Sequence, residues 1–331
     1  MRIAIAGLGN VGAATLRLLR AHADLLKVRG QEITVVAVSA RTKEKDRPCD
    51  LTGLAWEDDP LALAARNDID VVVELIGGAE GVAHDLVRAS LTNGKHVVTA
   101  NKALIAAHGV DLAKNAEEAG LNLSFEAAVC GGIPVLKTLR EGMAANRLSS
   151  VRGILNGTCN YILTRMGDEG MDFATALAEA QQQGYAEADP TADIDGGDTA
   201  NKLAILSALS FGLAPDLESI FVEGIRPITP SDLSDAAARG GRIKLLGIAT
   251  HGEQGLVQRV QPVFVPLSEP LARVGGAFNG IEIEGDFVGT VFLQGQGAGG
   301  NATASSVVAD LLAIAHNHHS FAFGVAAKSL A

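Results

Sequence analysis

The chain has 331 residues, which suggests about two domains, and 47% of it is hydrophobic, enough for sizeable cores. Its net charge of −11 argues against nucleic acid or an anionic membrane as a main partner, and no apolar run approaches the ~20 residues that span a bilayer. Cys49, Cys130 and Cys159 are scattered without metal-ligand or redox spacing, which predicts a cytoplasmic protein with reduced thiols.

The first part of the chain alternates strand and helix patterns. β-branched runs at 2–6, 33–39, 70–76 and 96–99 predict strands, and the stretches 11–20, 81–91 and 109–119 predict helices. This alternation predicts an α/β fold built on a doubly wound, parallel sheet.

After Pro134 the pattern changes to a mixture of helices and strands. Helical patterns cover 135–145, 173–183 and 201–210, and strand patterns cover 242–250, 256–264, 280–283 and 290–293. They predict a second, α+β region. The helical pattern at 303–315 predicts a final helix that returns to the first domain.

A glycine-rich loop joins the first predicted strand to the first predicted helix. Gly7, Gly9 and Gly12 stand in the G-x-G-x-x-G arrangement of a Rossmann-type dinucleotide site, with Asn10 and Val11 opening the helix. The glycines allow a tight turn, close approach of a pyrophosphate and close helix packing, and the helix N-terminus favours negative charge. The position of the motif, between a strand and a helix, predicts a bound dinucleotide.

The end of the second predicted strand bears on which dinucleotide is bound. A carboxylate there would bind the adenosine ribose of NAD, but this chain has Ser39, Ala40 and Arg41. An arginine suits a 2′-phosphate, so we expect NADP, with NAD also usable. The alternative is that Arg41 only stacks on adenine.

Two further strand ends should face the same ligand, because dinucleotides lie beyond the carboxyl ends of parallel strands. Gly77 follows the strand at 70–76 and leaves space for a cofactor, and Lys102 follows the strand at 96–99. The alternative for Lys102 is an ordinary surface lysine.

The segment 184–202 carries five carboxylates and no basic residue before Lys202. Asp198 and Lys202 are four residues apart at the start of a predicted helix, so they share a face. A lysine held among carboxylates can stay protonated and donate its proton to a developing alkoxide. The alternative is a solvated ion pair, worth tenths of a kcal/mol.

Together these segments resemble homoserine dehydrogenase. The match is close from Gly184 to Lys202, and the segments at 99–106, 125–134, 156–163 and 295–311 resemble family blocks in the same order. The resemblance implies reversible NAD(P)H-dependent reduction of L-aspartate 4-semialdehyde to L-homoserine in threonine, methionine and isoleucine biosynthesis.

The resemblance also implies roles for individual residues. Lys202 would donate a proton to the carbonyl oxygen, Lys102 would lie near that oxygen and the nicotinamide, and Asp198 would orient substrate or Lys202. Substrate contacts would come from Glu187, Asp193, Gly157, Thr158 and Tyr185. Further cofactor contacts would come from Gly184, Gly299 and Gly300.

The segment 125–134 resembles the monovalent-cation site of the family, with sodium as the expected ion. Glu126 would supply a carboxylate, and Val129, Gly131 and Ile133 would supply backbone carbonyls; such hard oxygen ligands suit a cation of this kind. The alternative is a bend in which Glu126 caps a backbone amide.

The resemblance implies a dinucleotide-binding domain at 1–133 completed by 297–331, a catalytic region at 151–269, and a dimerisation region at 134–150 and 270–296. We expect a homodimer. Longer members carry a regulatory ACT domain after a segment like 321–325, whereas this sequence stops shortly after that segment. We therefore expect its activity to be insensitive to L-threonine. Two alternatives remain: another amino-acid dehydrogenase on this scaffold, and a non-catalytic dinucleotide-binding regulator.

Overall fold

The computed structural model describes residues 1–330 and divides into two compact units. Among these residues, one unit is formed by 1–137, 212–215 and 298–330, and the other by 138–211 and 216–297. Within residues 1–330, no helix is both long enough and apolar enough to cross a membrane.

The first unit contains a parallel sheet with helices between its strands. Its strands are β1 (Arg2–Ala6), β2 (Thr34–Ser39), β3 (Ala55–Trp56), β4 (Val71–Glu74), β5 (His96–Thr99) and β6 (Leu123–Ser124). Its first helices are α1 (Asn10–Ala21), α2 (Ala23–Val28), α3 (Leu61–Ala65), α4 (Val82–Thr92), α5 (Lys102–Glu118) and the short α6 (Val135–Lys137).

The second unit contains a mixed sheet and five helices. Its elements are β7 (Leu148–Ile154), α7 (Gly157–Glu169), α8 (Phe173–Gln182), α9 (Thr191–Ile194), α10 (Gly197–Phe211), β8 (Phe221–Val222), α11 (Pro230–Ala238), β9 (Gly241–Gly252), β10 (Gly255–Pro266), β11 (Phe278–Gly285) and β12 (Gly289–Gln296). The chain then re-enters the first unit with α12 (Gly300–Ala315).

The strand order of the first unit confirms the predicted fold. The order is β3-β2-β1-β4-β5-β6, and every pairing is parallel. This is the doubly wound order in which β1 and β4 flank the point where the winding reverses, the place where such sheets bind dinucleotides. The core combines apolar side chains of the sheet with those of the last helix: Ile3, Ile5, Val73, Val307 and Leu311 are all fully buried.

The sheet of the second unit has the order β12-β11-β7-β9-β10-β8, antiparallel except for the pairing of β10 with β8. Ile154, Leu246 and Val265 are buried on this sheet together with Leu271 and Val274. β7 and β9 lie in its middle, so the loop that follows β7 starts from a rigid position.

Three sequence predictions of helices were wrong in their extent. The helix predicted at 109–119 begins at Lys102, because Asn101 caps it by accepting a hydrogen bond from the Leu104 amide at 3.1 Å. The helix predicted at 135–145 is a three-residue α-helix followed by a π turn that ends at Gly142. The last helix, predicted at 303–315, begins three residues earlier, at Gly300, whereas α10 begins at Gly197, one residue before the predicted start at Asp198.

Candidate active site

The glycine loop of the first unit has the geometry that a dinucleotide requires. Gly7 has a φ of +96°, and a Cβ atom there would lie 2.3 Å from the Leu75 carbonyl oxygen. A Cβ at Gly12 would lie 2.0 Å from the carbonyl oxygen of Gly7. At Gly9, by contrast, nothing lies within 4 Å of that position. The loop is therefore closed towards the sheet and open at Gly9, where the N-terminus of α1 begins.

A second helix N-terminus lies beside this loop. A Cβ at Gly300 would lie 2.7 Å from the Asn10 carbonyl oxygen, so α12 starts against the start of α1. Gly299 precedes it with a φ of +102°, and the space at its Cβ position is open. Two helix N-termini thus favour negative charge at one place in the first unit.

The loops after β4 and β5 are joined by a buried polar network. The Glu74 carboxylate accepts hydrogen bonds from the amides of Ile76 and Gly77, at 2.7 and 3.0 Å, and from the Thr99 hydroxyl at 2.6 Å. Asn101 donates to the Gly78 carbonyl at 2.7 Å. Lys102 follows at once as the first, half-buried residue of α5. The network therefore fixes Gly77 and Lys102 at the carboxyl edge of the sheet.

The loop after β2 is basic and folded on itself. Arg41 is exposed just beyond the strand, and the Arg47 guanidinium donates to the carbonyl oxygens of Thr42, Lys43 and Lys45. Arg47 also lies over the Trp56 ring, 5.5 Å from its centroid. These contacts order the loop next to Arg41, in which Lys43, Lys45 and Arg47 alternate with the acids Glu44 and Asp46.

In the second unit, Asp198 and Lys202 form a buried ion pair at the start of α10. The Lys202 ammonium donates to Asp198 Oδ2 at 2.7 Å and to the Leu155 carbonyl oxygen at 2.7 Å, and both residues are 8% exposed. The solvated-pair alternative is therefore wrong, because the pair is removed from water. A buried pair costs desolvation, and the hydrogen bond to Leu155 offsets part of that cost.

Asn156 connects this pair to a second acid. Its Nδ2 donates to Asp198 Oδ2 at 2.8 Å and to Asp193 Oδ1 at 2.7 Å. Its Oδ1 accepts from the Cys159 amide at 2.8 Å and caps α7. Asp193, Asp198 and Lys202, all predicted from the sequence, thus meet around one residue that the sequence reasoning did not assign a role.

The other predicted substrate residues lie on the neighbouring loop and helix. The Thr158 hydroxyl donates to the Tyr185 carbonyl at 2.6 Å, and the Tyr185 ring packs on Tyr161 with 4.7 Å between centroids. Glu187 is exposed, and its carbonyl accepts from Gln181. A Cβ atom at Gly157 would lie 2.6 Å from the Ala277 carbonyl oxygen, so a side chain there has no room.

The two cysteines of the site regions are packed in the interior. Cys159 Sγ lies 3.2 Å from the Asp193 carbonyl oxygen, and burial, followed by the charges of Asp193 and Asp198, raises the pKa of this thiol well above its usual value. Cys130 is fully buried and has a φ of +54°. A thiol held neutral in this way is a poor nucleophile, so Cys159 is part of the packing.

The segment predicted as a cation site forms a cap in the first unit. The Glu126 carboxylate accepts hydrogen bonds from the amides of Leu136 and Lys137, at 2.9 and 2.8 Å, as the capping alternative expects. The Gly131 carbonyl accepts from Ser306 at 2.6 Å. Each of these oxygens has a second lone pair, so the donor set is compatible with a monovalent cation and does not require one.

Comparisons with known proteins agree with this geometry. Residues 7–126 match the family model described as homoserine dehydrogenase, NAD binding domain, and residues 134–312 match the model described as homoserine dehydrogenase. The chain belongs to the homoserine dehydrogenase family. A homoserine dehydrogenase of Pseudomonas aeruginosa is 46% identical over 313 residues, which cover 94% of this chain and 71% of that relative.

Solved structures of homoserine dehydrogenases have the same fold. The crystal structure of the enzyme from Thiobacillus denitrificans has a TM-score of 0.94 at 43% identity and covers 100% of this chain and 78% of that chain. A hyperthermophilic archaeal homoserine dehydrogenase in complex with NADPH has a TM-score of 0.82 at 28% identity, with coverages of 97% and 99%.

Homoserine dehydrogenases are oxidoreductases that act on a CH–OH group with NAD(P), so this family member uses a nicotinamide cofactor and a small-molecule substrate. The first unit fits that cofactor: the open space at Gly9 and the two adjoining helix N-termini suit a pyrophosphate. The alternative of a non-catalytic regulator is disfavoured by the same comparisons.

Proposed function

We propose that this chain catalyses the reversible NAD(P)H-dependent reduction of L-aspartate 4-semialdehyde to L-homoserine, with Lys202 as the proton donor. The proposal rests on a hydrogen-bonded network in which Lys202, Asp198 and Asn156 are buried and Asp193 is half-buried. An ammonium beside a carboxylate is favoured in its charged form, so it can donate a proton and stabilise a developing negative charge. We propose that this reaction serves threonine, methionine and isoleucine synthesis.

Each residue has a chemical task in this scheme. When bound, the reduced nicotinamide supplies a hydride to the carbonyl carbon. Lys202 transfers a proton from Nζ to the carbonyl oxygen, so that the aldehyde gains one hydride and one proton and becomes the alcohol. In the reverse direction the lysine accepts that proton. Lys102, at the carboxyl edge of the parallel sheet, adds positive charge beside the nicotinamide.

The remaining groups suit the amino-acid end of the substrate. The Glu187 and Asp193 carboxylates favour the α-ammonium group, and Asp198 orients Lys202. The N-terminus of α7, at Gly157 and Thr158, favours the α-carboxylate because the first amides of a helix carry partial positive charge. Tyr185, held by Thr158, closes this side of the pocket. We also propose that Gly184, just before this loop, contacts the cofactor.

The experiment is a spectrophotometric assay of NADPH oxidation with L-aspartate 4-semialdehyde. Other amino-acid semialdehydes serve as matched substrates. Turnover confined to the aspartate compound supports the proposal, and equal or better turnover of another semialdehyde would favour the alternative of a different amino-acid dehydrogenase. No oxidation with any of them would contradict the proposal.

We propose NADP(H) as the better cofactor, with NAD(H) also used. The exposed Arg41, just beyond β2, supports this, since a 2′-phosphate adds about two negative charges that an arginine can bind. We also propose that a monovalent cation, sodium first, binds the carbonyl oxygens of Val129, Gly131 and Ile133 beside Glu126.

We propose a cytoplasmic homodimer that uses the segments 134–150 and 270–296. β12 is an edge strand of the second sheet, and the β11–β12 turn carries Phe287 with 91% of its surface exposed. An unpaired edge strand with an exposed aromatic residue suits pairing with a second copy. Light scattering after size exclusion should give twice the chain mass of 34.1 kDa, and Phe287→Asp should lower it. A wild-type mass of one chain would contradict the dimer.

A further inference from the structure

Asn156 lies between the sheet of the second unit and the cluster formed by Asp193, Asp198 and Lys202. It follows β7 and precedes α7, and only 4% of it is exposed. Its amide can point only one way: the two carboxylates that it touches can only accept hydrogen bonds, and the Cys159 amide can only donate one. The nitrogen therefore faces the acids and the oxygen faces the helix.

The amide group holds two carboxylates that would otherwise repel each other. One N–H points to Asp193 Oδ1 and the other to Asp198 Oδ2, at 2.7 and 2.8 Å. A buried carboxylate such as that of Asp198 is costly without donors, and one primary amide supplies a donor both to it and to the half-buried Asp193. No hydroxyl or carboxylate at position 156 could do this, because neither offers two donors.

The same short stretch of chain holds Lys202. Asp198 Oδ2 accepts from both Asn156 and Lys202, and the Lys202 ammonium also donates to the carbonyl of Leu155, the residue before Asn156. Residues 155 and 156 therefore contact both ends of the ion pair. The position of the Lys202 Nζ atom depends on where the central strand β7 ends.

We propose that Asn156 is a positioning residue that sets the orientation of Asp198 and, through it, of the proton-donating Lys202, while keeping Asp193 turned to the substrate. The inference rests on the proposed function of Lys202. A simpler role is helix capping alone, in which Asn156 would matter only for the stability of α7.

Two substitutions separate these roles. Asn156→Ser and Asn156→Asp both keep a side-chain oxygen that can cap α7, so the cap is retained or nearly so. Both remove the pair of N–H donors. Asp172→Ala is the matched control: Asp172 caps α8 in the same unit by accepting from the Thr175 amide at 2.8 Å, is exposed there, and has no part in the cluster.

The first measurement is a crystal structure of Asn156→Ser, which does not depend on activity. We expect the Lys202 Nζ to leave Asp198 Oδ2, the two atoms being 2.7 Å apart in the wild-type chain. An unchanged ion pair that still contacts the Leu155 carbonyl would overturn the proposal. A wild-type chain inactive on aspartate semialdehyde would refute the substrate instead, and the structure would still decide the role of Asn156.

The second measurement is kcat and KM for the semialdehyde, with the melting temperature. Displacement of a catalytic group by about 1 Å costs roughly 10²-fold in rate, so we expect kcat of Asn156→Ser to fall by that order. Asp172→Ala, which removes a helix cap outside the cluster, should lose thermal stability with unchanged kcat. A kcat of Asn156→Ser within twofold of the wild type would overturn the proposal.

The pH profile gives a readout that capping would not change. In Asn156→Asp the new carboxyl group faces Asp193, Asp198 and Lys202, and only its protonated form has an O–H to donate. Lowering the pH should therefore restore part of the kcat of Asn156→Asp relative to Asn156→Ser. Parallel pH profiles of the two variants would overturn the proposal.

Discussion

Replacing Lys202 by methionine tests the proposed chemistry most directly. The substitution keeps the apolar stem and removes the ammonium, leaving the Asp198 carboxylate buried with Asn156 as a donor. Removing one partner of a buried pair costs about 3–5 kcal/mol. For a domain of 150–250 residues that lowers the melting temperature by roughly 6–20 °C. Loss of the general acid should lower the rate by ~10²–10⁴, or about 3–5 kcal/mol of barrier.

Because stability and chemistry change together, Lys202→Met needs a partner variant. Adding Asp198→Asn removes the uncompensated charge, so the double variant should regain most of the lost melting temperature. Its kcat should stay low, since the proton donor is still absent. The buried geometry makes this pair of variants informative: for a solvated pair, neither substitution would move the melting temperature measurably.

The assay is kcat for NADPH oxidation with the semialdehyde, measured beside the NADPH dissociation constant and the melting temperature. We expect low kcat in both variants, wild-type NADPH binding in both, and a low melting temperature only in the single variant. Near wild-type kcat in either variant would refute the assignment of Lys202 as the proton donor. Recovery of kcat together with stability in the double variant would mean that Lys202 is structural.

Three further predictions concern cofactor, stability and cation. In steady-state kinetics, Arg41→Ala should lower the efficiency with NADP(H) more than the efficiency with NAD(H). An equal loss of efficiency with both cofactors would mean that Arg41 only stacks on adenine. Lys244 is buried against the Asn160 side chain and the Val274 carbonyl, and burial lowers its pKa from 10.5 to about 8. Between these two pH values the unfolded chain binds more protons than the folded chain, so the free energy of unfolding should rise with pH. In urea titrations, the wild type should gain up to ~3 kcal/mol relative to Lys244→Met between pH 8 and 10.5. If the difference in unfolding free energy between the two proteins stays constant over this range, the prediction is wrong. Replacing sodium by a bulky organic cation should lower the melting temperature of the wild type and leave that of Glu126→Gln unchanged. An unchanged melting temperature of the wild type would argue against the cation site.

The fold was predictable because its signals are local and frequent. Gly7 and Gly12 stand at places where the closed turn leaves no room for a side chain, so their spacing alone indicated the loop. The alternation of strands and helices likewise predicted the parallel sheet that the structure contains. The spacing of Asp198 and Lys202 predicted their contact, since residues four apart on a helix share a face.

Other parts of the site depend on contacts between distant residues and could not be read from spacing. The Asp198–Lys202 pair is buried partly by the loop after β7, where the carbonyl oxygen of Leu155 accepts a hydrogen bond from Lys202. Leu155 lies 47 residues before Lys202 in the sequence. Asn156 carried one local signal, because an asparagine just before a helix indicates an N-cap. That signal does not indicate the hydrogen bonds that Asn156 donates to Asp193 and Asp198. Lys244 carried none, because a lysine in a strand gives no sign of its burial.

The first unit is assembled from distant parts of the chain, and this has a consequence for folding during synthesis. Its core needs Val307 and Leu311 of the last helix against Ile3 and Ile5 of the first strand. Phe323 also packs on Phe125, with 5.3 Å between ring centroids. The amino-terminal strands therefore leave the ribosome long before the helix that covers them, while most of the second unit forms from one nearly continuous stretch. Until α12 emerges, part of the apolar face of the amino-terminal sheet stays uncovered, and apolar surface exposed in this way makes a nascent chain prone to aggregation.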